Sequence, residues 1–416
     1  MGQIVTKNRK TINGDTVIGT IDVGSMANYG YYRSKEGFET EPFEFSNDRA
    51  GFDKYWDAIR GFRDSQKLRE IIIGIESTGV YSGPAINYFK DKPVKMVQIN
   101  PKHTKRAKEI TDNSPNKTDR KDPRVIADIM EIGKYLEIVK HEGAIAELRT
   151  LTLARERAVG RRTGLNNQMH ALVFEIFPEF VQMMNLNGKC ATYILENMPT
   201  PTDIVAYGEE RLLNKLREIG RSKLKEEKIK ALYAAAQKSA GIREGRESIV
   251  MEINEILLER SIIAKHISAV EDKMCHYLKA VPASRYILSM KGIGEVTAAG
   301  IIGELGDFSN FSHSDGVLKF SGLNLCEASS GKHLGNKRIS KIGRSLVRKH
   351  LYYAAISMVR KGGIMHDKYS GYIARGMTKM KALVAIMRKL LVIMFALVKK
   401  HVEFQKDYFV SIVQAA

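Results

Sequence analysis

Cysteine is scarce in this chain of 416 residues, which contains only Cys190, Cys275 and Cys326, far apart and without a Cys-x-x-Cys pair. This spacing excludes both a disulfide framework and a cysteine-based zinc site, and it favours a reducing cytoplasm. Long apolar runs are lacking as well. The N-terminal residues MGQIVTKNRK contain no apolar signal core, and the most apolar stretch near the C-terminus is interrupted by Arg388 and Lys389. We therefore expect a cytoplasmic protein without a membrane partner.

Acidic residues are outnumbered by basic ones. The chain has 66 Lys and Arg residues against 47 Asp and Glu residues, which gives a formal net charge of +19. An excess of this size points to a polyanionic partner, because each phosphate that a protein neutralises releases counterions. A basic surface that serves solubility alone is the simpler alternative, since net charge carries no information on fold. The length of the chain predicts two or three domains.

The first third of the chain alternates strand and helix patterns. Its central segment, IIIGIE, is a continuous apolar run that is typical of a strand buried on both faces of a sheet. A meander followed by strand–helix crossovers predicts an α/β domain with a mixed sheet over residues 15–140. The predicted strands are Val17–Asp22, Ala27–Arg33, Pro42–Phe45, Ile71–Glu76 and Val94–Asn100, and a helix is predicted near Asp48–Phe62.

The remainder of the chain has helical periodicity. Residues 141–280 carry long amphipathic patterns that predict antiparallel helices or a coiled coil. Residues 281–416 combine short helices, Gly-rich turns and basic helices, and they predict a mainly α-helical domain. The longest predicted helical segments are Ile145–Phe177, Glu209–Lys238, Glu247–Leu278, Arg344–Arg360 and Met377–Lys400.

Four acidic residues stand at positions that suit a metal site. Asp22 and Glu76 end two predicted strands, and the carboxyl ends of strands in an α/β sheet are where sites usually assemble. Asp119 and Asp122 are three residues apart, so they can share one side of a helical turn that begins near Pro123. Carboxylate oxygens suit Mg²⁺, with Mn²⁺ as an alternative, and such ions support phosphoryl transfer. The spacing alone leaves open that these acids are capping or helix N-terminal residues.

A glycine-containing turn opens the last domain. In MKGIGEVTAAGIIGELG the residues Lys291, Gly292 and Gly294 separate two helical patterns, which is similar to a helix-hairpin-helix. In such a turn the glycines let backbone N–H groups approach a phosphate without interference from a Cβ atom. A plain helix–helix turn accounts for this short motif equally well.

A Ser-Ser-Gly turn and a basic segment follow in ASSGKHLGNKRISKIGRSLVRKHLYYAA. Ser330, taken by itself, is a turn serine, because no neighbouring His or acid marks it as activated. The density of cations after it predicts a surface for nucleic-acid phosphates. The predicted phosphate ligands are Lys337, Arg338, Lys341, Arg344, Arg348 and Lys349.

The strings IGTIDVGS, IESTGVY and NKTDRKD, in this order, together with the Gly-Ile-Gly and Ser-Gly segments, resemble the insertion-sequence one-hundred-ten family of transposases and its Piv-type DNA invertase relatives. The resemblance covers residues 15–400 or so. It implies a RuvC-like domain (RNase H fold) and places the family's metal tetrad on Asp22, Glu76, Asp119 and Asp122. The chain departs from the family pattern at Pro123, where Ala is more usual.

The same resemblance implies a function and partners. It implies a DNA transposase that cuts and rejoins strands through a covalent phosphoserine link, with Ser330 as nucleophile and Ser329 as its rival. The implied partners are double-stranded DNA at the element ends and target, a noncoding guide RNA encoded by the element, and further copies of the chain in a dimer or tetramer. In that arrangement the metal site and the serine come from different protomers.

Other function classes remain as alternatives at this point. The string IDVGS also resembles the first phosphate loop of actin-like and sugar-kinase ATPases, but a second Asp-x-Gly loop and a Gly-Gly adenosine turn are not found in suitable places. A RuvC-type junction nuclease without a serine step is a second alternative. A non-catalytic nucleic-acid-binding protein is the third.

Overall fold

The computed structural model describes residues 12–76, 79–112, 122–138, 141–220, 224–327 and 337–405, except for the side chains of residues 108–112. The chain divides into two compact units, Met1–Lys140 and His141–Ala416. The first is an α/β unit, and the second is helical apart from one short hairpin in its described part.

A six-stranded mixed sheet with the strand order β3-β2-β1-β4-β5-β6 forms the first unit. Strands β1, β2 and β3 are antiparallel neighbours, β1, β4 and β5 are parallel, and β6 is antiparallel to β5. The mixed sheet predicted from the sequence is therefore confirmed. The elements are β1 (Thr16–Val23), β2 (Ala27–Arg33), β3 (Phe43–Ser46), α1 (Arg49–Ser65), β4 (Glu70–Glu76), α2 (Ser82–Phe89), β5 (Lys95–Ile99), α3 (Pro101–Asp112), α4 (Asp122–Glu131) and β6 (Leu136–Glu137).

The sheet separates two hydrophobic cores. Ile21 and Ile75 pack in the aromatic-rich core on the side of α1, whereas Ile72 packs in the core on the side of α4. Helix α4 lies directly on β4, because a Cβ atom added to Gly74 would come within 2.2 Å of the Met130 sulfur. Successive side chains of a strand point to opposite faces. The position of any residue in β1 or β4 therefore tells which core it faces.

Helices make up most of the second unit. The described part also contains a two-stranded antiparallel hairpin and a short 3₁₀ helix, Phe308–Asn310. The elements are α5 (Gly143–Ile176), α6 (Pro178–Met183), α7 (Lys189–Asn197), α8 (Pro201–Tyr207), α9 (Glu209–Gly220), α10 (Glu226–Gln237), α11 (Arg246–Lys279), α12 (Ala283–Leu288), α13 (Glu295–Leu305), α14 (Ser314–Phe320), β7 (Leu325–Cys326), β8 (Arg338–Ile339), α15 (Ser345–Met358), α16 (His366–Ala374) and α17 (Lys379–Lys400).

Two helices of 34 residues each, α5 and α11, run through the whole second unit. They are antiparallel: Arg155 Nε of α5 donates a bond of 2.7 Å to Glu271 Oε1 of α11, and Leu165, further along α5, lines one cavity with Ile263, which comes earlier in α11. At a rise of about 1.5 Å per residue, each spans about 50 Å. One end of the pair packs with α6–α10 in one core, and the other end packs with α12–α17 in a second core. The antiparallel helices predicted from the periodicity are confirmed.

None of the helices in the described ranges is both long enough and apolar enough to cross a membrane.

Candidate functional site

Two of the predicted acidic residues lie side by side at the edge of the sheet. Ile21 of β1 is paired in parallel register with Ile75 of β4, so Asp22 and Glu76 occupy the next position on each strand. Both acids point away from the α1 core and toward the face that carries α4, since side chains alternate along a strand. Adjacent strands are about 4.8 Å apart. The register therefore brings these two carboxylates, both partly exposed, to one point of one face.

A third predicted acid reaches the same face from α4. Asp122 is the first residue of this helix and is 6% exposed. Thr20, which precedes Asp22 by two residues and faces the same side, donates a hydrogen bond of 2.9 Å from Oγ1 to the carbonyl of Pro123. This buried bond holds the start of α4 against β1. Sequence reasoning missed Thr20, because nothing in a single sequence links it to a residue 103 positions away.

Ion pairs fix the exposed side of α4. Arg33 of β2 contacts Asp128 at 2.8 Å and Glu131 at 3.1 Å. Arg124 contacts Glu41 of the β2–β3 connection at 3.0 Å and lies over the Tyr31 ring. Asp128 is exposed and paired in this way, so it is an acid of the protein surface.

The donor chemistry of Asp22, Glu76 and Asp122 suits a hard cation, since all three offer carboxylate oxygens. Asp119, the fourth predicted ligand, lies outside the described residues. Among the residues that are described, no group of three or more His, Cys, Asp or Glu side chains is arranged to hold a metal ion. The structure thus brings three of the four acids to one face of the sheet, and the metal role of the tetrad stays a prediction.

The glycine turn of the last domain lies between α12 and α13, with Lys291, Gly292 and Gly294 exposed and Ile293 buried. Gly292 has a φ of +109°, a conformation that favours glycine. A turn between two helices is therefore present, and its identity as a helix-hairpin-helix stays a prediction. Its contact with phosphate stays a prediction.

The six predicted phosphate ligands fall into two groups. Lys337, Arg338 and Lys341 are exposed, and Lys337 lies 3.6 Å from the Glu327 carboxylate. They border the two-stranded hairpin β7–β8, which sequence analysis missed because strands of two residues carry too little alternation to be recognised.

The other three cations are half-buried and make contacts within the second unit, and their role as phosphate ligands stays a prediction. Arg344 lies over the Phe320 ring at 5.4 Å, and burial lowers the pKa of its guanidinium. Arg348 donates to a backbone carbonyl, and Lys349 forms an ion pair with Glu156 of α5. The segment from 344 to 349 begins α15, so its side chains point in several directions around the helix and part of them face the core.

Ser330 and its rival Ser329 lie outside the described residues, in the segment that joins β7 to β8. Their assignment as nucleophile stays a prediction. The structure describes the two paired strands that precede and follow this segment, β7 and β8.

Comparison with known proteins assigns the chain to a family. Residues 20–178 match the profile of the DEDD transposases of IS110 elements, and residues 284–370 match that of the IS116/IS110/IS902 transposase family. The chain belongs to the IS110 family of transposases. The first match contains the four predicted acids, and the second contains Ser330, the glycine turn and the basic segment. The resemblance to the insertion-sequence one-hundred-ten family is therefore confirmed.

Proteins of several insertion elements are similar to this IS110-family chain. The 43.6 kDa protein of insertion element IS110 from Streptomyces coelicolor is 21% identical over 91% of this chain and 93% of its own length. The 42 kDa protein of insertion element IS900 from Mycobacterium paratuberculosis is 26% identical, over 68% of this chain and 72% of its own length. The 44.8 kDa protein of IS116 from Streptomyces clavuligerus is 23% identical, over 68% and 71%. The similarity to the first of these extends over both units.

Proposed function

We propose that this transposase cuts and rejoins DNA strands by Mg²⁺-dependent phosphoryl transfer, with Ser330 as the nucleophile. The observation that carries the proposal is the placement of Asp22 and Glu76 at the ends of adjacent parallel strands, on the face where Thr20 holds the start of α4 and its Asp122. Two strands and the start of one helix, from separate parts of the chain, thus each carry an acid on this face. A structural role alone does not require acids at all three positions.

The fold of the first unit supports a RuvC-like (RNase H fold) assignment. A meander of three antiparallel strands continues into two parallel strands, and helices cover both faces of the sheet. The acids lie at the carboxyl end of the parallel strands, which is where α/β sheets usually place their sites.

In the proposed reaction the Ser330 oxygen forms a bond to the phosphorus of the scissile phosphate. The bond from that phosphorus to one sugar oxygen breaks, and the leaving oxygen takes up a proton in place of the one that serine loses. Rejoining is the same exchange with a different sugar hydroxyl, which releases the serine. Mg²⁺, when bound, stabilises charge on the phosphate and on the attacking and leaving oxygens. Asp22, Glu76, Asp119 and Asp122 would hold it.

The proposed partners of this transposase are nucleic acid and further copies of the same chain. The net charge of +19 and the exposed residues Lys337, Arg338 and Lys341 support binding of DNA and of a guide RNA from the same element. A dimer or tetramer would let the serine of one protomer act with the carboxylates of another.

The test is to trap the covalent intermediate on the DNA ends of the element, in the presence of RNA transcribed from it. Reactions are stopped with denaturant and the DNA–protein adduct is mapped by mass spectrometry. We expect an adduct on Ser330, and none with Asp119→Asn, whose cleavage should fall by at least about 100-fold because a metal contributes several kcal/mol to such a transition state. Asp128→Asn is the matched control, since it removes an equal charge from the exposed side of α4. It should retain the adduct.

Three results would contradict parts of the proposal separately. An adduct on Ser329, on a tyrosine or on no residue refutes the Ser330 assignment. Full cleavage by Asp119→Asn refutes the metal tetrad. A protein that is free of RNA yet fully active on its DNA ends removes the guide RNA and leaves the recombinase.

A further inference from the structure

The hairpin β7–β8 has a base that extends beyond its two short strands. Backbone N–H groups donate across it from Ser340 to the carbonyl of Asn324 at 2.9 Å, and from Arg344 to the carbonyl of Phe320 at 3.0 Å. The Ser340 hydroxyl also donates to the Asn324 side chain at 2.5 Å. Two chain segments, residues 320–326 and 338–344, therefore run together into α15 as one structure.

Two glycines bring these segments into close contact. Gly322 and Gly343 have φ angles of +67° and +145°, which favour glycine. A Cβ atom on Gly343 would come within 2.3 Å of the Phe320 carbonyl oxygen, and one on Gly322 would come within 2.7 Å of Arg348 Nη1. The Arg348 guanidinium thus occupies the space that a side chain at position 322 would need.

Arg348 joins the two segments. Its Nη1 donates to the carbonyl of Ser321 at 2.9 Å and to the carbonyl of Gly343 at 3.4 Å, so one side chain from α15 contacts both arms of the base. Burial lowers the pKa of Arg348. A planar guanidinium with several fixed donors suits such a bridge better than an ammonium group does.

A second arginine contacts the same base from α17. Arg388 Nε donates to the carbonyl of Leu323 at 2.9 Å, and Leu323 is fully buried. This bond explains why a charged residue interrupts the apolar run of α17. Arg388 is half-buried beside the apolar side chains of α17, and the carbonyl of Leu323 supplies an acceptor for its guanidinium.

We propose that Arg348 and Arg388 are positioning residues for strand cleavage and not phosphate ligands. They hold the described base of the hairpin and so fix where the segment between β7 and β8 begins and ends. The inference rests on the proposed function, because that segment contains Ser330. It replaces the expectation from sequence that Arg348 neutralises a phosphate.

The anchoring itself is measured by hydrogen–deuterium exchange on the full-length protein, without reference to the serine. The variants are Arg348→Met and Arg388→Met, which keep an unbranched apolar stem and lose every donor. Peptides from both arms of the base should exchange about tenfold faster, as expected for losing a hydrogen bond from a charged donor, and peptides from α13 should not change. Lys319→Met, which removes an exposed cation from the adjacent α14, is the matched control and should leave exchange unchanged. Unchanged exchange in both arginine variants would overturn the proposal.

The consequence for the reaction is tested by measuring the DNA dissociation constant and the cleavage rate separately. For Arg348→Met we expect the single-turnover cleavage rate at saturating DNA to fall at least about tenfold, because small misplacement of a reacting group is costly. The DNA dissociation constant and its salt dependence should not change, and Arg348→Lys should recover part of the rate. Arg338→Met provides the comparison for a phosphate contact, and its binding should lose up to about 0.9 from the logarithmic salt slope.

The outcomes separate the two proposals. A flatter salt slope in Arg348→Met, or an unchanged cleavage rate, would show that the arginine is not a positioning residue. If exchange and rate change as expected while Ser330→Ala still forms an adduct, the nucleophile assignment fails and the anchoring stands. Circular dichroism identifies a variant that has lost its fold, in which case Arg348→Lys decides by its rate and salt slope.

Discussion

His350 of α15 gives the second unit a pH dependence that can be worked out from its surroundings. The side chain is 5% exposed, and its ring lies against Gly300 of α13, where a Cβ atom would come within 2.3 Å of Nε2. Nε2 has no hydrogen-bond partner in the described part of the chain. Burial, followed by the charge of Arg155, lowers the pKa of His350 from 6.5 to about 4, although Glu156 opposes the shift.

The direction of the pKa shift determines whether stability rises or falls with pH. The unfolded chain binds a proton at His350 near pH 6.5, whereas the folded chain binds it only near pH 4. The contribution to stability is therefore fully present above pH 6.5, falls as the pH drops through this window, and is lost below about 4. Between pH 7 and pH 5 the free energy of unfolding should decrease by about 2 kcal/mol because of this group alone.

Urea unfolding at pH 7 and pH 5, followed by far-UV circular dichroism, measures this contribution, since the second unit holds most of the helices. His350→Leu, which cannot titrate, should lose about 2 kcal/mol less than the wild type between the two pH values. His170→Gln on the exposed side of α5 is the matched control and should behave like the wild type. Equal pH dependence in the wild type and His350→Leu would refute the reasoning.

Two further predictions concern packing. Thr20→Val keeps the shape of the side chain and removes the hydrogen bond to the Pro123 carbonyl. We expect the free energy of unfolding to fall by about 1–3 kcal/mol and Mn²⁺ to bind more weakly, as read by electron paramagnetic resonance. If neither value changes, this bond does not hold α4 in place. Gly300→Ala should destabilise the protein by about 1–3 kcal/mol, because the added Cβ atom clashes with the His350 ring. Gly164→Ala, in open space on α5, should stabilise the protein by about 1 kcal/mol. Thermal unfolding measures both variants, and equal changes in their melting temperatures would contradict the contact between Gly300 and His350.

Sequence periodicity predicted the long elements of this protein well. The run IIIGIE and the segment around Asp22 are strands β4 and β1, and α5 and α11 match their predicted bounds to within three residues. Each of these elements is long enough for its pattern of buried apolar residues to repeat several times, which makes the pattern recognisable in the sequence. The segment Glu209–Lys238 is instead two helices, α9 and α10, with Gly220 at the end of the first. Short elements such as α6, α8 and the hairpin β7–β8 do not repeat a period and were not predicted.

In the candidate site, too, the residues predicted correctly are those whose position depends on one local segment. A strand end is a property of one segment, so Asp22 and Glu76 were placed from the sequence, and the parallel register then set them side by side. The role of a cation depends on what packs around it. Arg338 and Arg348 look alike in the sequence, yet one is exposed and the other spans two carbonyls from a helix. No local pattern distinguishes them, because the acceptors of Arg348 come from tertiary contacts.

The departure from the family pattern at Pro123 is explained by the same tertiary contact that positions Asp122. As the second residue of α4, Pro123 gives up an N–H that has no partner inside the helix, so its ring costs the helix nothing. The group that matters at this position is the carbonyl, which accepts the Thr20 hydroxyl and which proline and alanine share. A proline also fixes the backbone angle φ at the start of the helix. The substitution therefore keeps the contact between α4 and β1, and with it the approach of Asp122 to the face that carries Asp22.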